Sequence, residues 1–262
     1  QWVKTWSENV AVELATTPAL YAKKPKGLHK MMVLDRTEVS EAEQTFILTI
    51  RTPTRTKFTS GDLLAIYPAD DNRERLYSIA KCQGNVQLVV KLHPSGLGSS
   101  YLNNLKVGDT FRARMVTNES FHQPKNKPLA MIANGTGIAP FLGMIAQCNK
   151  NADNHLYVGF RKETDIIKQH KAFLDQQIQN HKLKTYQVAF SREQNHCYVM
   201  DLIRNDASYL ALLLNNGGVV MICGSLQMQQ DVEKVIDEIC MKINGNDLAY
   251  YKKNGQLLTD CY

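Results

Sequence analysis

Four short stretches of this chain carry residues whose types and spacing could hold an anionic, ring-bearing ligand. In Arg75-Leu-Tyr-Ser78, a guanidinium, a phenol ring and a hydroxyl follow one another within an apolar burst. On a strand, Arg75 and Tyr77 share a face and Ser78 points to the other. That set suits a pyrophosphate, the face of a flat ring and the ring's polar edge. Gly135-Thr-Gly-Ile-Ala-Pro140 follows the apolar burst Leu129 to Ala133 and precedes a helical pattern. Backbone N–H groups and a helix N-terminus at such a place can meet a phosphate or let a cofactor approach closely. Gly96-Leu-Gly-Ser-Ser100, ahead of Tyr101-Leu-Asn-Asn-Leu105, reads as a second helix start with free N–H groups. The last residues, Asp260-Cys-Tyr262, place a carboxylate and an aromatic ring two positions apart. A planar ring ligand has two faces to cover, and Tyr77 and Tyr262 are the candidate covers.

Each stretch also has a plainer reading. Tight packing of a strand-to-helix turn accounts for Gly135 to Gly137 equally well, and Pro140 stands where the last glycine of G-x-G-x-x-G would be. Tyrosine is common in half-buried strands, and Arg75 beside Glu74 could be a surface ion pair worth little. Cys223, after Val219-Val-Met-Ile222, could be an inert core thiol.

The elements that must position these residues fall into two rhythms. From about residue 28 to 116, apolar bursts are broken by Gly, Pro, Asp and Asn: Met31 to Leu34, Thr45 to Ile50, Leu63 to Tyr67, Leu76 to Ala80, Val86 to Leu92 and Thr110 to Met115. Six antiparallel strands of this length predict a small barrel. Cys82-Gln-Gly-Asn85 supplies residues that tolerate positive φ and predicts a hairpin turn. The polar, proline-bearing stretch Thr117 to Pro128 marks a boundary. Beyond it, bursts alternate with helical patterns: Leu129 to Ala133, Ala139 to Cys148, Leu156 to Phe160, Thr164 to Gln179 and Thr185 to Phe190. That alternation predicts a parallel, doubly wound sheet. After Ser225, the spacing of Val232, Val235, Ile236, Ile239, Cys240 and Ile243 predicts one amphipathic helix packed along that face.

With 262 residues, 44% apolar and 21% charged, the chain has room for two globular domains with separate cores. We place them at 1–122 and 123–262. The net charge of +6 suits an anionic cofactor or an acidic partner and equally a mildly basic surface. The cluster Lys23, Lys24, Lys26 and Lys30 sits in a Pro/Gly-broken stretch without interleaved aromatics, which argues against nucleic acid. The six cysteines show neither a C-x-x-C pair nor zinc-finger spacing, so no metal is expected and reduced thiols in the cytoplasm are. No run nears the roughly 18 apolar residues of a membrane span. The start, Gln-Trp-Val-Lys-Thr-Trp, reads as the cut edge of a longer polypeptide.

The order of these pieces, from about residue 40 to the end, resembles the ferredoxin-NADP reductase superfamily, and within it the diflavin reductases. Thr59-Ser-Gly-Asp-Leu-Leu-Ala-Ile-Tyr-Pro68 is similar to the strand that precedes their large inserted domain, but here only Ala69 to Glu74 lie between it and Arg75. The resemblance implies an antiparallel FAD-binding β-barrel followed by a doubly wound α/β domain that binds NADPH. It assigns Arg75 to the FAD pyrophosphate, Tyr77 to the isoalloxazine face and Ser78 to the neighbourhood of N5. Gly96, Leu97, Gly98, Ser99 and Ser100 would cradle the pyrophosphate, and Leu76, Val89, Val90 and Leu92 would complete the flavin site.

Gln187-Val-Ala-Phe-Ser-Arg-Glu-Gln-Asn-His196 resembles the segment that selects NADPH, with Ser191 and Arg192 on the 2′-phosphate and Tyr198 at the adenosine end. Arg161 would assist the pyrophosphate. Gly135, Thr136 and Gly137 would lie by the nicotinamide, and Asp231 would also line the nucleotide. Ser78, Cys223, Asp260 and Tyr262 would surround the hydride path, with Tyr262 swinging aside to admit the nicotinamide. Three departures stand out. Cys197 replaces a frequent lysine in a segment one residue shorter, Asn134 replaces a small residue or proline, and Ser225 replaces the usual Asp after Cys-Gly. The implied activity is an NADPH reductase that passes electrons through FAD to a flavodoxin-like FMN domain or a small carrier, in the cytoplasm or at the cytoplasmic face of a membrane. A stand-alone ferredoxin or flavodoxin reductase, and a cofactor-binding module without turnover, are the alternatives.

Overall fold

The computed structural model describes residues 25–68 and 71–262. The reading of the N-terminus as a cut edge, Lys23 and Lys24 of the basic cluster, and Ala69 of the short connection lie outside the described residues. Seven strands form an antiparallel sheet: β1 (His29–Arg36), β2 (Thr45–Arg51), β3 (Leu63–Ile66), β4 (Arg75–Ser78), β5 (Ala80–Cys82), β6 (Asn85–Lys91) and β7 (Thr110–Val116). Their order is β4-β3-β7-β1-β2-β6-β5. The two edge strands, β4 and β5, are separated in the chain by Ile79 alone, so the sheet curls until its edges meet. The stretch expected as a single strand, Leu76 to Ala80, is bent there. Ile79 is fully buried; its N–H donates to Asp62 O and its carbonyl accepts from Gly61 N.

The hairpin between β5 and β6 turns through Gln83 and Gly84, with φ of 50° and 81°, and pairs Cys82 with Asn85. Two consecutive positive φ values match the twist of the flanking strands. Along β6 the faces alternate. Val86, Leu88 and Val90 join Phe46, Leu48 and Ile50 inside the barrel, while Val89 joins a second cluster outside it. Helix α1 (Leu97–Asn104) follows β6 and contributes Leu102 to the barrel interior.

The second sheet is parallel throughout: β8 (Leu129–Asn134), β9 (Asn154–Phe160), β10 (Thr185–Phe190), β11 (Val219–Gly224) and β12 (Leu257–Cys261), in the order β10-β9-β8-β11-β12. Its connections carry α2 (Ile138–Gln147), α3 (Asp165–Gln179), α4 (Val199–Asn205), α5 (Ala207–Asn215), α6 (Leu226–Asn244) and α7 (Leu248–Lys253). Both faces of the sheet are buried. Ala130, Ile132, Val220 and Ile222 pack with α4, α5 and α6, and Met131, Ala133, Met221 and Cys223 pack with α2 and α3. That second cluster also takes in Ile47, Val89 and Phe121, and α2 lies against β5, so one apolar seam joins the two sheets.

Helix α6 begins where Ser225 Oγ accepts from Met228 N, 3.3 Å, and ends at Gly245 in the left-handed conformation. Of its expected apolar face, Ile243 is 50% exposed, because the last turn runs past the sheet it packs on. The C-terminal stretch, expected as a covering tail, forms β12. It pairs with β11 in parallel, with Cys223 opposite Asp260 and Gly224 opposite Cys261. Among the described residues no helix is long and apolar enough to cross a membrane.

Candidate active site

A cleft of about 750 Å³ opens between the two sheets. One wall is β4, β6 and the start of α1. The other is the carboxyl ends of β8, β9, β10 and β11, where ligands settle in open α/β sheets.

On the barrel wall, Arg75 is held from behind. One of its terminal nitrogens donates to Asp71 Oδ2 at 2.8 Å and the other to the Arg73 carbonyl at 2.8 Å. The Arg73 and Arg75 guanidinium groups hold the Asp71 carboxyl well below the usual carboxylate range. Asp71 belongs to the short connection ahead of β4, and it leaves the rest of the guanidinium fork free for an anion. A Cβ on Gly98 would lie 2.8 Å from both Arg75 Cγ and the Tyr77 hydroxyl. The backbone at the start of α1 therefore comes within contact of the arginine and the ring. Burial pushes the Tyr77 phenol up to about 12, so it stays protonated.

At the junction of the sheets, the Ser78 hydroxyl donates to Asp260 Oδ2 at 2.6 Å. Residues 182 positions apart meet because β4 closes the barrel and β12 lies beside β11. Burial raises the Asp260 carboxyl above its usual value, while bonds from Ser78 and Asn118 hold it down in part. Cys223, fully buried, has its thiol raised well above the usual value by burial and by the Asp260 charge, so it stays neutral. A Cβ on Gly137 would overlap the Cys223 carbonyl oxygen, which explains a glycine at this crossing. Tyr262 is tied twice, by its N–H to Gly224 O at 3.0 Å and by its hydroxyl to Thr136 Oγ1 at 3.0 Å. The residue as a whole is 64% exposed.

At the far end, the turn after β10 is fixed by Ser191 N to Phe160 O, 2.9 Å, and Arg192 N to Arg161 O, 2.8 Å. Tyr198 precedes α4, with its backbone N–H on Asp201 Oδ2 at 2.8 Å and 52% of its surface exposed. Glu43, a buried carboxylate from the barrel, accepts from the N–H groups of Arg161 and Lys162 at 2.8 and 2.9 Å. Lys91 has its pKa lowered by burial and by the nearby charges of Arg161 and Arg192. Asp231 lines the cleft and accepts from the Gln227 amide at 3.2 Å.

Of the residues singled out in the sequence, Arg75, Leu76, Tyr77, Ser78, Val89, Gly96, Leu97, Gly98, Ser99, Gly135, Thr136, Arg161, Ser191, Tyr198, Asp231 and Tyr262 line the cleft together. Others do not. Val90 and Leu92 pack toward the barrel interior, because alternation along β6 sends Val89 and Lys91 to the cleft instead. Ser100 lies one helical position behind the cleft wall, its N–H bonded to Gly96 O. Gly137 is covered by Cys223, and Arg192, next to Ser191, is not part of the cleft lining. Cys223 and Asp260 stand behind the lining. Glu43, Lys91, His93, Asn134, Ser225 and Gln227 line the cleft without having been assigned a role from sequence. Alternation from Val89 would have found Lys91, but no local signal marks Glu43.

The cleft between the two sheets, the donors at both ends and the close-packed turns at Gly98 and Gly137 fit nucleotide cofactors. The class this defines is a two-domain flavoprotein oxidoreductase. Residues 30–117 match the oxidoreductase FAD-binding domain and residues 131–234 the oxidoreductase NAD-binding domain. The chain belongs to the ferredoxin-NADP reductase superfamily, whose cofactors are FAD and NADP(H).

Among its relatives, the sulfite reductase [NADPH] flavoprotein alpha-component of Buchnera aphidicola is 34% identical over 185 residues, 63% of this chain and 31% of that protein. NADPH-dependent diflavin oxidoreductase 1 of Candida albicans is 31% identical over 194 residues, 67% of this chain and 32% of that protein. The chain thus spans about a third of the length of these relatives. The ferredoxin-NADP+ reductase of Plasmodium falciparum shares the fold, with a TM-score of 0.75 at 22% identity, over 92% of this chain and 98% of that one.

Proposed function

We propose that this chain is an FAD-dependent NADPH reductase that passes electrons to a flavodoxin-like FMN domain or a small carrier. A flavin-binding barrel would occupy 1–122 and an NADPH-binding domain 123–262, working in the cytoplasm. The observation that carries this reading is the meeting of Ser78, Asp260, Cys223 and the Thr136–Tyr262 pair where the two walls of the cleft join. FAD, when bound, supplies the ring that accepts hydride from NADPH and releases electrons onward.

The chain's residues do the positioning. Arg75, steadied by Asp71, and the Gly96 to Ser99 turn would hold the flavin's pyrophosphate. Ser191 and Arg192 would take the 2′-phosphate, with Tyr198 against the adenine and Arg161 toward the pyrophosphate. Ser78 donates its hydrogen bond to Asp260, so its oxygen offers an acceptor at the cleft wall. Asp260 would stabilise positive charge that develops beside it, and the neutral Cys223 thiol would close the floor without competing for protons. Tyr262 would cover the open ring face until the nicotinamide displaces it.

Anaerobic mixing of the FAD-loaded chain with NADPH tests the reading. Bleaching of the flavin's visible absorbance by NADPH is expected, and faster than by NADH. A loaded chain that NADPH fails to bleach would sink it. The short connection between β3 and β4 favours, as a second reading, a stand-alone ferredoxin or flavodoxin reductase.

A further inference from the structure

Two of the chain's departures from the family pattern touch each other. Asn134 is the last residue of β8 and Ser225 follows β11, the neighbouring parallel strand. Asn134 Oδ1 accepts from Ser225 N at 2.9 Å, and Asn134 Nδ2 donates to Ser225 Oγ at 3.0 Å. The amide lies against Gly224, where a Cβ would overlap Asn134 Oδ1. This two-point clip ties the turn that holds Thr136 to the end of β11, which holds Cys223, and both partners line the cleft.

The clip also fixes what Ser225 can do. Its Oγ accepts from Asn134 Nδ2 and, at the start of α6, from Met228 N at 3.3 Å. A hydroxyl has two acceptor positions and one proton. With both positions filled, Ser225 can only donate, and among the described residues no protein acceptor takes that proton. An aspartate at this position would carry no such donor at neutral pH.

We propose that Ser225 is a binding residue for the nicotinamide half of NADPH, donating to one of its oxygen acceptors, and that Asn134 is the positioning residue that holds it in that role. The assignment to this half rests on place. Ser225 adjoins Gly224, whose carbonyl holds Tyr262, whereas Ser191 and Tyr198 mark the other end. The inference builds on the NADPH reading above.

The test measures dissociation constants of NADP+ and of 2′,5′-ADP, which lacks the nicotinamide half, on the FAD-loaded chain. Asn134→Ala, Ser225→Ala, their combination and Ser225→Thr are compared with wild type, and retained FAD reports folding. Each single alanine variant is expected to weaken NADP+ about tenfold, the scale of one net hydrogen bond. The double variant should be no more than about twofold worse than either single, since the two act as a unit. Binding of 2′,5′-ADP and FAD should hold, and Ser225→Thr should retain NADP+. Unchanged NADP+ affinity in the folded single variants overturns the pair's role, as does an equal loss of both probes or a multiplicative loss in the double. A wild-type chain that binds neither probe overturns the NADPH reading and this inference with it.

Discussion

Tyr262→Phe isolates one atom of the proposed gate. The residue is 64% exposed, and its side chain has one polar tie, the 3.0 Å bond to Thr136 Oγ1. The backbone bond to Gly224 O belongs to the strand end and is untouched by the substitution. A hydrogen bond between neutral groups is worth about 0.5–1.5 kcal/mol net, a factor of about 2 to 13 in an equilibrium. If the ring must leave before the nicotinamide enters, affinity scales with the fraction of gates open. Deleting the hydroxyl should then tighten NADP+ by about 2- to 13-fold. FAD should stay bound, because Arg75 and the Gly96 to Ser99 turn are unchanged. Titrating NADP+ into the FAD-loaded variant and following the flavin spectrum gives the number. NADP+ affinity equal to or weaker than wild type, or loss of FAD, refutes the gate.

Three further outcomes follow from the same geometry. Gly98→Ala places a methyl 2.8 Å from Arg75 Cγ and the Tyr77 hydroxyl; it should weaken FAD by about tenfold or more, read by flavin fluorescence, while the chain stays folded. Asp260 binds its proton more tightly in the folded chain than in the unfolded one, so its contribution to stability falls as pH rises through the raised value. Asp260→Asn should therefore melt no lower than wild type at neutral pH while its flavin is reduced more slowly by NADPH. His170 is buried, with its pKa lowered by burial to about 4. The unfolded chain takes that proton below about pH 6.5 and the folded chain does not, so wild type should lose about 2 kcal/mol between about pH 7 and 5. His170→Leu should remove that part of the slope in urea unfolding.

Much of the fold was legible because its elements are locally coded. The bursts from Met31 to Met115 each became strands, and Cys82 to Asn85 turned as its glycine and polar residues require. The spacing through Val232, Val235 and Ile236 buried the expected face of α6. What escaped depends on partners far away in the chain. The bend at Ile79 arises because β4 and β5 pair with different strands, and nothing within Leu76 to Ala80 announces it. The Leu257 to Cys261 stretch becomes a strand because the β11 edge is there to receive it. Val90 was expected at the cofactor because resemblance carries positions but not side-chain direction; alternation turns it inward. Glu43 and the Asn134–Ser225 clip act across 118 and 91 positions, beyond the reach of any spacing rule.

The bond between Ser78 and Asp260 spans 182 positions, so its two partners leave synthesis far apart. Arg75 and the Gly96 to Ser99 turn, on one wall of the cleft, all lie before residue 101. Asp260 lies in β12 and Tyr262 directly follows it; β12 comes after every other strand of the second sheet in the chain and pairs with β11. A chain that had formed only its first sheet would therefore present Ser78 without the carboxylate that takes its hydrogen bond.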